Sequence, residues 1–416
     1  MRVVTFDQKH FGRLADGLAV ALAISLPWST SATGIIAALW LLALIPTLDF
    51  LSLRRVIYTS AGGLPVLLLL LGIAGMFWAD VSWADRFHGV SSFIKLLFIP
   101  LLLHRFCRSD AGRQVLIGFV SSCVLLLVAS WSLWAWPAIP WPLSTRSVGV
   151  PVKDYIAQSA MFTVCALVLV RFAHDLWRNG RRHLSVACIM LVVFFLLNVF
   201  YIAPSRTYLV VIPVLLFVFG SQVWGWKGAI GLVLGFLVLA MAAWPSATYL
   251  RSRVGPLYDE IRSYQPSGKP TPAGERLEYW RKSVAFMQEA PLFGHGTGSI
   301  SELFRSVAGQ TGMAAEVANN PHNQMLAVGI QIGLVGIAAL LAMWIAHLAL
   351  FRYSSFAAWV GLVVVIQNII GSLFNSHLFD FTHGWTYVVG VGIAGGTVLK
   401  ETAFIESVGR PSAINH

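Results

Sequence analysis

WRKSVAFMQEAPLFGHGTGSISELFRSVAGQTGMAAEVANNPHNQMLAVGIQI, residues Trp280 to Ile332, closes the longest polar interval of the chain and leads back into apolar sequence. Its last polar word is Asn319-Asn320-Pro321-His322-Asn323-Gln324, followed at once by Met325-Leu326-Ala327-Val328. A histidine held at such a boundary is a candidate for chemistry. What it can do depends on which side of a membrane it faces and on what else points at it, so the rest of the chain is read outward from here.

Hydrophobic residues make up 57% of the 416 positions and charged residues only 11%. Soluble domains carry about a quarter charged residues, so this composition predicts an all-α polytopic membrane protein. The formal charge of +11 does not point to nucleic acid, because the Lys and Arg fall between apolar runs and read as topology signals. Cys107, Cys123, Cys165 and Cys188 lie in or beside apolar runs, which excludes a disulfide framework and a zinc finger pattern. The basic start, MRVVTFDQKHFGRLADG, lacks a small-residue cleavage site and reads as a retained cytoplasmic tail.

A helix needs about 20 mostly apolar residues to cross the hydrocarbon layer. Cutting at polar and Pro/Gly-rich breaks predicts twelve spans: 14–31, 34–52, 63–79, 90–105, 114–136, 155–174, 184–203, 207–224, 228–246, 323–350, 355–376 and 382–399. The organisation is then 1–246 with nine spans, a loop over 247–322, three spans over 323–400, and a tail over 401–416. With the N-terminus inside, the Lys and Arg of the short loops gather on the inner side, at Arg54, Arg55, Arg105, Arg108, Arg113 and Arg178 among others. Both termini are predicted cytoplasmic and the 247–322 loop faces out. Within that loop GERLEYWRKSVAFMQEAP places Leu277, Trp280, Val284 and Met287 at helical spacing, with Thr271-Pro272 as cap and first turn and Pro291 as stop. That helix is expected on the membrane surface.

Three outside-facing residues stand apart from topology. Arg206, in Pro204-Ser205-Arg206-Thr207-Tyr208, is a charge wedged between two apolar spans, which is costly unless it finds a partner; a snorkelling anchor is the structural alternative. Arg276 lies in Gly274-Glu275-Arg276, one turn before Trp280, where pairing with Glu275 or Glu278 is the alternative. His322 is the third, with helix capping as its alternative. Together they fit one chemistry. The planar fork of arginine grips phosphate and stabilises a pyrophosphate leaving group, and a neutral imidazole takes the proton from an attacking hydroxyl near neutral pH. Such a leaving group needs no general acid, so neither a metal nor another cofactor is expected.

Other motifs were weighed against this one. Trp78-Ala79-Asp80 and Trp83-Ala84-Asp85 repeat a word in an outer loop; either aspartate could be base or ligand, but a capping turn with interfacial Trp fits better. His377-Leu378-Phe379-Asp380-Phe381-Thr382-His383 offers ligand types in a turn without a known metal spacing. Gly294-His295-Gly296-Thr297-Gly298 lacks the strand that a nucleotide-binding glycine run requires and reads as a tight turn, with His295 a rival to His322 as base.

WADVSWADRF, PSRTYL, GERLEYW with PLFGHGTG, and PHNQMLAVGIQIGLVG follow one another along the chain. In this order they resemble the bacterial O-antigen ligase and O-antigen polymerase superfamily, and the likeness covers nearly the whole protein. The resemblance implies a metal-independent, inverting membrane glycosyltransferase of the GT-C-like class. Its donor would be an undecaprenyl-pyrophosphate-linked glycan and its acceptor, for a ligase, a hydroxyl of lipid A-core, at the periplasmic face of the inner membrane. It also implies that Arg206 and Arg276 grip the pyrophosphate and that His322 activates the acceptor. Asn323, Arg146 and Lys153 face out and are second-rank candidates for donor or core phosphates; Arg251, Arg253, Arg281 and Lys282 are expected at the phosphate-rich surface. O-antigen polymerase and protein O-oligosaccharyltransferase are the alternatives within this plan, the latter disfavoured by the short tail. A secondary transporter, for which twelve spans are typical, is disfavoured because the two halves are unlike and intramembrane acidic residues are scarce.

Overall fold

The computed structural model describes residues 8–142, 147–256, 272–307 and 319–409. Among these the regular structure is helical, with no strand, as expected where hydrocarbon offers backbone groups no other partner. In chain order the helices are α1 (Gln8–Ser25), α2 (Thr30–Leu44), α3 (Phe50–Ile57), α4 (Ser60–Gly75), α5 (Trp83–Ile94), α6 (Phe98–Phe106), α7 (Gly112–Ala135) and α8 (Tyr155–Arg178). They continue as α9 (Arg182–Tyr201), α10 (Arg206–Ala243), α11 (Thr248–Val254), α12 (Pro272–Glu289), α13 (Ile300–Ser306), α14 (Gln324–Leu350), α15 (Phe356–Gly371) and α16 (Phe381–Gly409).

By length and composition, seven of the described helices can cross a bilayer, or eight if α3 and α4, bent by 84° at their junction, form one span. The predicted spans 207–224 and 228–246 are merged in α10, yet that helix folds back at Gly225, where φ is 70°. A Cβ on Gly220 would lie 2.6 Å from Ala229 Cα, whereas nine residues of straight helix rise about 13 Å. The predicted span 323–350 is broken in the same manner at Gly333, with φ 66°. A Cβ on Gly336 would sit 2.9 Å from Val328 Cγ1, eight residues away, where a straight helix would rise about 12 Å. The arm 324–332 is therefore separate from the long arm 334–350.

Tertiary hydrogen bonds fix the direction of the helices. Lys153, just before α8, reaches Leu26 O at the end of α1 and Thr382 at the start of α16. Gln324 N donates to Ser372 O at the end of α15. The hairpin of α8 and α9 returns to the same level, so α10 begins there at Arg206. These ends define one face, which also carries His322. The opposite face collects Arg54, Arg55, Arg105, Arg108, the α8–α9 turn with Arg178, Arg181 and Arg182, and Lys400. There the charges are paired with acids: Arg105 with Asp16 at 2.7 Å, Arg108 with Asp49 at 2.8 Å, and Lys400 with Asp110.

Inside the bundle, polar side chains join helices where no water competes. Gln158 Nε2 on α8 donates to Asn198 Oδ1 on α9 at 2.8 Å and to Ser130 Oγ on α7 at 3.0 Å, and Asn198 Nδ2 reaches the same Ser130 Oγ at 2.8 Å. Outward, Ile35, Leu42, Leu125, Val128, Leu239 and Met241 stay exposed, a surface that suits hydrocarbon and not water.

Candidate active site

The segment 272–307 is seated on the short arm of α14 by a small core of its own, made of Phe286, Ile300, Phe304, Ala327 and Ile330. The expected helix over GERLEYWRKSVAFMQEAP is present as α12. Glu278, Ser283 and Phe286 turn inward while Leu277 and Val284 remain exposed. Periodicity gave the helix; the facing arm of α14 decided which side is covered. Between α12 and α13 the GHGTG run is a turn wedged among three elements. Thr297 N donates to Gly75 O at 3.0 Å and Thr297 Oγ1 to Gly72 O at 2.6 Å. Cβ atoms on Gly294, Gly296 and Gly298 would strike the backbones of Gln331, Ala79 and Asp85 within 2.6 Å. Their φ values of 66°, 90° and 95° lie where L side chains are disfavoured.

His322 sits between this segment and the turn that links α15 to α16. Its φ of 52° is a left-handed conformation that costs a β-carbon residue about 1 kcal/mol or more. Two contacts hold it there. His322 N donates to Asn320 Oδ1 at 2.9 Å across Pro321, and its Nδ1 lies 3.1 Å from Asn375 Oδ1. The imidazole stacks on the Tyr279 ring of α12, centroids 6.1 Å apart and planes at 25°. Burial and then the Arg276 guanidinium push the His322 pKa below the ordinary imidazole value, against the Asn375 hydrogen bond. A lowered pKa keeps the ring neutral at pH values where a free histidine would begin to charge.

Arg276 and Tyr279 are three residues apart on α12 and so share one side of it. The charge of Arg276 bears on His322, so the structure brings these two sequence candidates together. Arg206 opens α10, half-buried, on the same face. α10 packs on α15, whose outgoing turn carries Asn375. Of Glu275 and Glu278, the two carboxylates weighed as partners for Arg276, Glu278 is buried and also engages Arg281 at 3.0 Å and Lys282 at 3.7 Å.

The second-rank candidates have structural partners. Lys153, with φ 58°, holds Leu26 O and Thr382 Oγ1, the latter at 3.1 Å. Burial pushes its ammonium down to about 8, against the pull of Asp380 and Asp154. Asn323 caps α14: its Oδ1 accepts from Met325 N at 2.9 Å and Leu326 N at 3.2 Å, and its Nδ2 donates to Leu373 O at 3.2 Å. His295 Nε2 lies 2.7 Å from Phe286 O; a carbonyl only accepts, so that nitrogen carries the proton and is occupied. Ser82 caps α5, its Oγ accepting from Asp85 N at 3.2 Å and donating to Asp85 Oδ2 at 2.6 Å. Arg146 lies outside the described residues.

Sequence reasoning missed the residues that hold His322. Asn320 Nδ2 donates to Asn375 Oδ1 at 2.8 Å, Ser376 Oγ donates to Asn320 Oδ1 at 2.7 Å, and Ser376 N donates to Asn375 Oδ1 at 2.9 Å. Gln324 Oε1 accepts from Leu378 N at 2.9 Å and Phe379 N at 3.2 Å. The turn before α16, weighed above as a source of metal ligands, is thus the frame of the site. Behind it Lys95 Nζ donates to Phe379 O and Asp380 O at 2.9 and 2.7 Å. His383 Nδ1 meets Asp380 Oδ1 at 2.7 Å and stacks on His377 at 4.0 Å. Burial would raise the Asp380 carboxyl, but His383 and Lys95 hold it below the usual carboxylate range. Beside this frame lies a polar cavity of about 210 Å³, lined by Asp85, His88, Ser92, Ser301, Asn320 and Ser376 among others.

A helical membrane protein with a boundary histidine, flanked by an arginine and roofed by a segment between two apolar parts, is the class that fold and site define. Residues 191–341, from the middle of α9 through the first two thirds of α14 and including Arg206, Arg276 and His322, match the sequence model of the O-antigen ligase family. The match covers a little over a third of the chain and shows a likeness to that family over this stretch. A Haemophilus influenzae protein described as an uncharacterized protein is 30% identical over 95 residues, 22% of this chain and 24% of that protein. The chain thus matches about a quarter of that relative's length.

Proposed function

We propose that this protein is an O-antigen ligase of the inner membrane, an inverting GT-C-like glycosyltransferase that moves O-antigen from undecaprenyl pyrophosphate to a hydroxyl of lipid A-core. The observation that carries the reading is His322, gripped by Asn320 and Asn375 and stacked on Tyr279, with burial and the Arg276 charge lowering its pKa, within the stretch that matches the family. The arginine-rich face with Arg105 and Arg178 is cytoplasmic by the positive-inside rule. On this plan the termini, with the 401–416 tail, are cytoplasmic. The 247–322 loop covers a periplasmic active site between the helices of 1–246 and those of 323–400.

In the reaction, Arg206 and Arg276 grip the pyrophosphate of the donor, where a guanidinium fork matches phosphate oxygens in two places. The acceptor hydroxyl loses its proton to His322 as its oxygen attacks the anomeric carbon. The bond from that carbon to the pyrophosphate oxygen breaks, its electron pair stays on the leaving oxygen, and the configuration inverts. The arginines stabilise the charge as it grows, the kind of term that is worth most where water is excluded. A secondary transporter does not need this convergence of base and cations at one boundary.

The test is reconstitution of the purified protein with undecaprenyl-linked glycan and two acceptors in parallel, lipid A-core and a second lipid-linked glycan. Extension of lipid A-core is the expected product. Extension of the second glycan alone would reassign the protein as an O-antigen polymerase.

A further inference from the structure

Three hydrogen-bond partners converge on a single oxygen, Asn375 Oδ1: Asn320 Nδ2 at 2.8 Å, Ser376 N at 2.9 Å and His322 Nδ1 at 3.1 Å. The two ends of an amide side chain are interchangeable in shape, so their assignment must come from the network. Here it does. A backbone N–H can only donate, so the atom facing Ser376 N is the oxygen of Asn375. The same logic fixes Asn320, whose Oδ1 faces His322 N at 2.9 Å and Ser376 Oγ at 2.7 Å, which turns its NH₂ toward Asn375. An oxygen already accepting from two donors presents only acceptor character to the imidazole. His322 Nδ1 must therefore carry the ring proton, and the lone pair of the neutral ring resides on Nε2.

We propose that Asn375, itself oriented by Asn320 and Ser376, is a positioning residue that locks His322 in the Nδ1-protonated tautomer and thereby makes Nε2 the atom that receives the acceptor's proton. The inference rests on the reading of His322 as base and adds the device that makes it competent. Among the described residues no hydrogen bond reaches Nε2, and it is not a buried orphan like both nitrogens of His377. The Tyr279 ring covers one side of the imidazole and the charge of Arg276 bears on it from α12. Neither partner fixes a tautomer, because a ring face and a cation offer no acceptor at Nδ1. The left-handed backbone at His322 fits this role. Strain of this kind persists only where surroundings over-determine it, and here one contact grips the backbone N–H and the other the ring.

The experiment combines ¹⁵N NMR of histidine-labelled protein in detergent with steady-state transfer kinetics. The His322 resonance is assigned by its loss in His322→Gln, and its ¹⁵N shifts read the tautomer directly. Wild-type protein is expected to show protonated Nδ1 and bare Nε2. Asn375→Leu should mix the tautomers and lower kcat, by no more than the about 10²- to 10⁴-fold that the base itself contributes, with the donor KM little changed. Asn375→Asp keeps the acceptor oxygen and should retain the tautomer, while its added negative charge moves the acid limb of the kcat/KM profile to higher pH. Protonated Nε2 in the wild type would overturn the proposal whether or not the variants fold. So would an unchanged tautomer and kcat in Asn375→Leu. Full transfer by His322→Ala would instead remove the underlying reading of His322 as base, so the two failures are distinguishable.

Discussion

His322 and Lys153 are the two residues other than glycine with positive φ among those described, at 52° and 58°. Both lie on the same face and both were candidates for the site, yet their surroundings separate them. The Lys153 ammonium is spent on Leu26 O and Thr382 Oγ1, joining the ends of α1 and α16. His322 is fixed by its backbone N–H and by Nδ1, and its Nε2 is left without a hydrogen bond among the described residues. Strained backbone alone therefore does not mark a catalytic residue. What separates the two is whether the polar end of the side chain is consumed by the fold or held out by it.

The largest effect is expected from His322→Ala. General-base assistance contributes about 10²- to 10⁴-fold, so transfer to lipid A-core should fall by that factor while protein level stays near normal. Lipopolysaccharide ladders in a strain lacking its own ligase measure it, and wild-type ladders would show that the open nitrogen has no chemical role. Arg276 links the comparison to pH. Its charge helps to lower the His322 pKa, so the base stays deprotonated, and activity is retained, as pH falls below the ordinary histidine value of about 6.5. Arg276→Gln removes that charge and should let the pKa climb back. The acid limb of kcat/KM would then shift to higher pH, on top of a loss of about 100-fold or more from the weaker grip on pyrophosphate. A limb that stays in place would mean that another ionisation controls the rate.

How much of this was legible in the sequence follows from the range of each interaction. Apolar runs and Lys/Arg placement are local properties, so the helical class and the two-faced charge distribution could be read directly. The fold-back at Gly225 was legible, since Lys227 interrupts the apolar sequence between the predicted spans 207–224 and 228–246; the one at Gly333 was not, because the apolar run continues on both sides of IQIGL and a glycine in such a run does not announce its φ. At α12 the spacing of Leu277, Trp280, Val284 and Met287 gave the helix but not which side the protein covers, since coverage is set by Phe304 and Ile330 from elsewhere in the chain. His322, Arg206 and Arg276 were visible because charged or titratable residues are rare in such sequence. Asn375 and Ser376 were not: small neutral side chains in GSLFNSH carry no signal until the fold sets them 53 residues from the histidine in sequence and 3.1 Å from its ring.

The smallest effect on chemistry and the clearest on stability should come from Lys153→Met, which keeps the length of the side chain and removes its donors. Leu26 O would lose its partner, and a buried acceptor left unsatisfied costs about 1 to 3 kcal/mol. Asp380, which the cation also faces, would still have His383 at 2.7 Å and Lys95 on its backbone carbonyl at 2.7 Å. Thermal unfolding in detergent should therefore move to lower temperature by a few degrees. The kcat of the folded fraction should stay within about a factor of three of wild type, since an ammonium with two of its three donors used by the fold has little binding capacity to lose. A kcat collapse at unchanged melting temperature would reverse the assignment, making Lys153 a ligand of the donor and placing the boundary between scaffold and site on its far side.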